Sequence, residues 1–445
     1  MFKNKEILID NGKEGYIKNV RKDILEILES SLNAVDPYNS VKKCFGKKKF
    51  KINNKEIDIG EYKNIYLVAF GKASIGMAQA VSDSIEIKKG VVITNEKQRK
   101  VESSNVSTYV GSHPIPNQDS ITGAKKVLEL VENCEEDDLL FVLISGGGSA
   151  LLSYPKIKIN DLQKTTDLLL KSGADIKEIN TIRKHLSNIK GGQLVKKSKS
   201  RVVSLIISDI IGDPIDFIAS GPTYPDSTTY LESEKILKKY DIWQKTPNEV
   251  RNVITDGKKG IIPETVKQND PVFNKVTNFI VANNKFACYS AIKKAEQLGY
   301  KTMLLTTSLE GEASSVGKYL SEKVIDYNNK QNIAFISGGE TTVTIKGDGK
   351  GGRNQEMVLA CIEKIMGKKV IFSSFATDGI DGMSDAAGAI ADSYTLKRAK
   401  EKNLDYKKFL DNNNSNEFFK ILDDLLVTGP TGTNVMDIQI VIKIL

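Results

Sequence analysis

LLFVLISGGGSALL, residues 139–152, decides the fold. Six apolar residues run unbroken into Ser145, as in a strand buried on both faces, and three glycines then separate that strand from a helix start. The same grammar stands upstream in IYLVAFGKAS (65–74). GVVIT (90–94), VSTYVG (106–111) and VVSLIIS (202–208) read as further strands. Helices are expected from Ala73, over 121–133 behind Ser120 as N-cap, and over 160–172 and 176–197. Strands alternating with helices of this length predict a parallel sheet covered on both faces.

The N-terminal stretch 14–35 spaces Ile17, Val20, Ile24, Ile27, Leu28, Leu32 and Val35 as one face of a helix that ends before Pro37. From 210 to 275 the alternation weakens, and six of the eleven prolines fall there. That places a domain boundary near 271–275. Beyond it, NFIVAN (278–283), KTMLLTT (301–307), NIAFIS (332–337), TTVTIKG (341–347), KVIFSSFAT (369–377) and the closing DIQIVIKIL read as strands. Helices are expected over 284–298, 312–328 and 354–366. The expected class is α/β in two domains, 1–272 and 273–445, each a mostly parallel sheet covered by helices.

Composition excludes other readings. The 445 residues are 40% apolar and 27% charged, enough for a large core without disulfides or structural metal. Cys44, Cys134, Cys288 and Cys361 are far apart, so neither a CxxC zinc site nor a disulfide framework is indicated. With only His113 and His185, a zinc site of three imidazoles is impossible. No run of 18 apolar residues spans a membrane, and the first residues have no signal-peptide core, so a cytoplasmic protein is expected. The net charge is +8. Its one dense basic run, KKCFGKKKFK (42–51), reads as a solvated loop and hairpin rather than a nucleic-acid contact.

Several loops carry chemistry. SGGGSA (145–150) offers backbone N–H groups and the Ser149 hydroxyl at a helix start, a cradle for phosphate or carboxylate rather than a nucleophile elbow. GKAS (71–74) puts Lys72 where a strand ends and a helix begins. GDGKGGRNQE (347–356) contains GxGxxG at Gly347, Gly349 and Gly352. The next acid past its helix is Asp378, beyond the strand rather than at its end, so the dinucleotide fingerprint is poor. Arg353 reads better as a fork for phosphate or carboxylate. Asp209, Asp213, Glu340, Asp378, Asp381 and Asp385 are hard oxygen ligands on tight loops, suited to Mg²⁺. Both histidines are candidates to line the site. FVLISGGGSALL (141–152) and AFISGGETTV (334–343) repeat one strand-to-glycine turn in each domain, which suggests a site in the cleft between them.

Taken together, FGKASIGMA, SHPIPNQDS, ISGGGSALL, NTIRKHLSNIKGGQL, SDIIGDPIDFIASGPTYPD, SGGETTVTIKGDGKGGRNQE, ATDGIDGMSDAAGA and GPTGTNV resemble, in order from residue 70 to 435, the class II glycerate kinases with a C-terminal MOFRL domain. The resemblance implies phosphorylation of D-glycerate by ATP and Mg²⁺, typically at the 2-hydroxyl. It also implies a Rossmann-like N-terminal domain and a smaller α/β C-terminal one. The family's proposed catalytic lysine and arginine correspond to Lys72 and Arg353. Substrate or nucleotide contacts fall on Ser145, Gly146, Gly147, Gly148, Ser149, His113, Arg183, Lys190 and Asn354. Metal contacts fall on Asp209, Glu340, Asp378 and Asp381. Asp209 and His113 are both candidates for the catalytic base. Two positions depart from the family pattern: Asn117 stands where it has Asp, and Met436 where it has Asn. The implied partners are D-glycerate and ATP, with no nucleic acid or membrane, in a monomer or homodimer. A hydroxypyruvate reductase using NAD(P), supported only by the literal GxGxxG, and a non-catalytic sugar-acid-binding protein are the competing classes. ADP release against NADH oxidation separates the first two.

Overall fold

The computed structural model describes residues 1–328 and 331–445, and they divide into two compact units, Pro37–Val281 and Met1–Asp36 with Ala282–Leu445. The expected boundary at 272/273 therefore shifts to 281/282, and the first 36 residues join the C-terminal part. The reason is the apolar stripe of helix Gly15–Ala34, which packs on helix Asn284–Gln297. A buried charge network adds to it: Arg21 bonds Asp392 and Asp424, and Arg398 bonds Asp424.

The Pro37–Val281 unit holds the expected sheet. Its strand order is Val106–Val110, Lys89–Thr94, Ile65–Phe70, Leu139–Ile144, Arg201–Ile207 and Val276–Ala282. The four pairings from Val106–Val110 to Arg201–Ile207 are parallel. The chain order reverses between Ile65–Phe70 and Leu139–Ile144, the switch point at which open α/β sheets bind ligands beyond the strands' carboxyl ends. Phe70 pairs with Ile144, and Ile144 with Ile206, so the loops after these strands leave the sheet at one level. Strand Val276–Ala282, expected in the second domain, edges this first sheet. The basic run folds as the expected small antiparallel hairpin structure, Phe45–Gly46, Lys49–Ile52 and Lys55–Asp58.

The second sheet is not mostly parallel. Only Lys301–Leu309 and Ile333–Gly339 pair in parallel. Strand Asp437–Lys443 inserts antiparallel between Ile333–Gly339 and Val370–Ala376, and Gly388–Ala391 and Leu425–Leu426 extend the sheet antiparallel. A strand entering the middle of a sheet from the chain's far end has no crossover helix to fix its direction. Residues 341–347, expected as a strand, form only an isolated bridge at Thr342. The expected helix over 176–197 stops at His185 and resumes as the short turn Gln193–Lys196.

Candidate functional site

On the Pro37–Val281 unit, two strand-end loops are laced together. The Lys72 N–H donates to the Gly146 carbonyl (2.8 Å), the Ser145 N–H to that of Phe70 (3.1 Å), and the Ala73 N–H to Ser145 Oγ (3.1 Å). A Cβ at Gly71 would lie 2.2 Å from Ser145 Oγ, so only glycine permits the approach. Ser145 is thus a buried strut between the loops, not a ligand contact. Gly148 also serves packing, since a Cβ there would meet Ala219 at 2.8 Å.

Gly146 and Gly147 face a pocket of about 390 Å³. A Cβ on Gly146 would collide with the Asp209 carboxylate at 2.0 Å. Gly147 has φ +81°, and its Cβ would stand 3.0 Å from the His113 ring and 3.3 Å from Lys72 Cγ. Glycine is required there both by the left-handed backbone and by the approach of those two side chains. The Lys72 ammonium has no hydrogen bond or ion pair among the described residues. Burial, and then the charge of Lys72, hold His113 below the usual imidazole range.

His113, Gly146, Gly147, Ser149, Arg183, Lys190 and Asp209 all line this pocket. Arg183 has no hydrogen bond or ion-pair partner among the described residues, and burial pulls its pKa down. Lys190 is buried, and its ammonium donates to the carbonyls of Ser149 (2.7 Å) and Leu152 (3.2 Å). Burial, with Arg183 beside it, brings its pKa down to about 7. A guanidinium enclosed without an anion is costly, and the cost is relieved when an anionic ligand enters. Ser149 plays a different part from the one expected. Ser220 Oγ donates to Asn180 (2.9 Å), so the Ser149 hydroxyl donates to Ser220 (3.0 Å) and not to an anion. The helix Gly148–Leu151 is a single turn and adds little dipole.

His185 does not line the pocket. It is fully buried, its Nδ1–H donating to the Thr181 carbonyl (2.7 Å) and Nε2 lying 3.1 Å from Glu264. Asn117 caps helix Gln118–Glu132 in place of the expected Ser120: its Oδ1 accepts from the Ser120 N–H (3.0 Å). Asp and Asn cap equally well, so this departure from the family pattern leaves the helix start intact.

The other unit centres on Arg353, the first residue of helix Arg353–Ile365. Its Nε and Nη2 donate to the two oxygens of Asp437 (2.5 and 2.9 Å), and Nη1 to Glu340 (2.6 Å). Burial works against the guanidinium charge, but Asp437 and Glu340 outweigh it and hold the pKa above the usual arginine range. Burial pushes the Asp437 carboxyl up, and Arg353 pulls it down. With the fork bonded to both oxygens, the geometry is that of an ionised pair. One N–H on each Nη stays available. Asp437 was not among the expected site residues. Its signal was a polar residue at the head of an apolar strand, with Gln439 on the same face.

Two expected contacts here are structural. Asp381 is buried, and Oδ1 accepts from the N–H and amide of Asn354 (3.0 and 3.1 Å) while Oδ2 accepts from those of Gln355 (both 2.9 Å). It caps the helix that carries Arg353, because Gly352 at the N-cap has no side chain to do so. With four donors on two oxygens, it is no metal ligand. Asn354 is fully buried between Asp381 and Ser374, so it does not contact a ligand. Asp378 closes its own turn on Ile380 (3.1 Å). The glycines of the GxGxxG serve packing: Cβ atoms at Gly347 and Gly349 would strike Asn412 at 2.1 and 2.3 Å, and one at Gly352 would strike Asp381 at 2.3 Å. No group of three acidic, histidine or cysteine side chains among the described residues could hold a metal. No helix there is long and apolar enough to cross a membrane.

An α/β sheet with unpaired cations at its switch point is built to bind an anionic ligand. A family model described as a domain of unknown function (DUF4147) matches residues 23–255, and the MOFRL family model matches 333–437. The chain is 42% identical to the glycerate 2-kinase of Pyrococcus horikoshii over 95% of this chain and 97% of that protein. It is 38% identical to the D-glycerate 2-kinase of Thermotoga maritima over 95% and 98%. The crystal structure of a glycerate kinase from Thermotoga maritima superposes with a TM-score of 0.86 at 37% identity, covering 96% of this chain and all of that one. The chain belongs to the glycerate kinase family with a C-terminal MOFRL domain.

Proposed function

We propose that the protein transfers the γ-phosphoryl group of ATP to the 2-hydroxyl of D-glycerate, giving 2-phosphoglycerate and ADP. The observation that carries this reading is the cationic pocket at the switch point: Arg183 lines it, Lys72 stands beside Gly147 at its wall, and neither has a hydrogen-bond or ion-pair partner among the described residues. Family membership supports the substrate.

Phosphoryl transfer asks for position and charge neutralisation more than covalent chemistry. The substrate hydroxyl oxygen attacks the γ-phosphorus, the bond to the β,γ-bridging oxygen breaks, and the hydroxyl proton passes to a base. Lys72 neutralises the phosphoryl group as it moves, and Arg353 adds its remaining N–H donors. His113, neutral at physiological pH because of its lowered pKa, accepts the proton. Mg²⁺ normally needs only one or two protein carboxylates beside phosphate and water, and Asp209 in the pocket fits that demand. The ion would supply further charge neutralisation when bound. Glu340 is the second candidate ligand, although it engages Arg353 here. In this reading the protein acts in the cytoplasm as a monomer or homodimer. The test is ADP production from ATP with D-glycerate, L-glycerate and hydroxypyruvate in turn. Turnover with D-glycerate alone is the expected result, and NADH oxidation with hydroxypyruvate in its place would overturn the reading.

A further inference from the structure

The glycine-rich loop GDGKGG (347–352) turns its backbone donors inward. Five consecutive N–H groups, from Lys346 to Lys350, all bond to the asparagine run 412–414. Asn413 Oδ1 accepts from Lys346 (2.6 Å) and Gly347 (3.1 Å), and Asn412 Oδ1 from Asp348 (3.3 Å). The Asn412 carbonyl accepts from Gly349 (3.0 Å) and Asn414 Oδ1 from Lys350 (3.1 Å). Amides bonded in this way are not free to cradle the phosphates of a dinucleotide, which need those same donors. The literal GxGxxG therefore answers an internal partner. Its neighbour Gly351 permits the contact too, since a Cβ there would lie 2.2 Å from Ser415 Oγ.

The same segment also grips the chain beyond Arg353. Asn413 Nδ2 donates to the Thr344 carbonyl (3.3 Å) and to Glu356 Oε2 (3.0 Å), and Asn416 Nδ2 donates to Gln355 Oε1 (3.0 Å). Gln355 and Glu356 stand in the first turn of helix Arg353–Ile365, so Arg353 is held from both sides. The segment itself is fixed. It joins helices Tyr406–Asp411 and Ser415–Ile421, whose Phe409 and Phe418 rings meet edge to face with centroids 5.5 Å apart. Asn413 is at φ +51°, a left-handed backbone that asparagine tolerates better than most side chains.

We propose that Asn412, Asn413 and Asn414 are positioning residues for Arg353. They fix where its backbone starts, while Asp437 fixes where its guanidinium ends. Misplacing a reacting group by about 1 Å can cost on the order of 100-fold, so releasing the loop lowers kcat more than it weakens substrate binding. The assignment rests on the kinase reading and adds what holds its arginine.

The test uses the full-length protein and Asn413→Gly, which removes all four side-chain bonds and keeps the left-handed backbone accessible. Amide hydrogen exchange of residues 346–350 and steady-state kinetics are measured where circular dichroism shows the variants folded. Wild type is expected to protect these amides, and Asn413→Gly to lose that protection. Its kcat is expected to fall at least about fivefold, with KM for ATP and D-glycerate within about threefold of wild type. In an Arg353→Lys background the same substitution should cost less than half that factor, because the side chain it positions is already gone. An unprotected loop in wild type, a smaller fall in kcat, or an equal loss in both backgrounds would overturn the assignment. If Asn413→Gly does not fold, Asn414→Ala and Asn414→Asp carry the test. Asn414 makes no side-chain cap bond to the helix that follows it, and only the aspartate keeps an acceptor for the Lys350 N–H. The aspartate is expected to hold kcat near wild type while the alanine lowers it, and equal values would overturn the assignment. Wild-type protein that makes no ADP from ATP and D-glycerate would overturn the kinase reading instead, and hydrogen exchange would still show whether the asparagines hold the loop.

Discussion

Replacing Asp381 with alanine separates a helix cap from a metal ligand. The buried carboxylate accepts four hydrogen bonds, two from backbone N–H groups in the first turn of helix Arg353–Ile365 and two from the side chains of Asn354 and Gln355. Loss of a cap costs about 1 kcal/mol. Each donor left buried and unpaired costs about 1–3 kcal/mol. Part is recovered, because the alanine variant no longer desolvates a carboxylate and because Gln355 keeps its bond to Ser384 (2.8 Å). The balance is a loss of about 4 kcal/mol. At ~2–4 °C per kcal/mol for a unit of this size, Tm falls by about 10 °C. Asp381→Asn keeps one oxygen and is expected to fall about half as far. The assay is thermal unfolding by circular dichroism, paired with a Mg²⁺ titration of activity at a temperature where all variants are folded. The expected result is a large Tm drop with an unchanged Mg²⁺ requirement. An unchanged Tm in Asp381→Ala with a raised Mg²⁺ requirement would refute the reasoning and restore Asp381 as a metal ligand.

Lys72→Ala is expected to lower kcat more than ~100-fold, the scale of one oriented charge donor. Its Tm should not change, because the ammonium bonds nothing within the described residues; steady-state ADP release and a melting curve check both. Arg353→Lys should lose at least ~2 kcal/mol of transition-state stabilisation, since a single ammonium cannot hold both Asp437 oxygens and also reach a substrate. A kcat/KM within threefold of wild type would contradict this. Gly147→Val adds a branched side chain at φ +81° and 3.0 Å from His113, so both Tm and activity should fall, read by melting and turnover. Glu264, which burial pushes up but His185 and the Tyr230 N–H pull further down, to about 2, contributes stability above the unfolded carboxylate pKa that is lost as pH falls toward 2. The Tm gap between wild type and Glu264→Gln should therefore be full at pH 6 and close progressively below pH 4.

The first sheet was legible because its strands are continuous apolar runs, and glycine turns punctuate them where the loops must touch. The second sheet was legible in four of its strands, Lys301–Leu309, Ile333–Gly339, Val370–Ala376 and Asp437–Lys443, and not in their directions or in its short strands Gly388–Ala391 and Leu425–Leu426. Nothing local in DIQIVIKIL says that it enters between two earlier strands, since that choice is made by contacts 61 to 110 residues away. Lys72, His113 and Asp209 were readable as candidates from loop position and charge, whereas Arg183, on helix Ile176–His185, came only from the family resemblance. Asp381 misled because a carboxylate that caps a distant helix has the same local signature, an acid among glycines, as one that binds metal; Asn354, implied only by the family resemblance, is held between Asp381 and Ser374. Ser145 misled in the same way, a loop serine whose partner lies on another strand. Asp437 was missed because its partner, Arg353, lies 84 residues away in the chain.

The central claim is tested most directly by phosphorus NMR of the product formed from ATP and D-glycerate, with ADP counted in parallel. One ADP per D-glycerate consumed, a phosphorus signal coupled to the C2 proton of 2-phosphoglycerate and no product from L-glycerate is the expected result. ADP that appears at the same rate without D-glycerate, or no ADP at all, would contradict it.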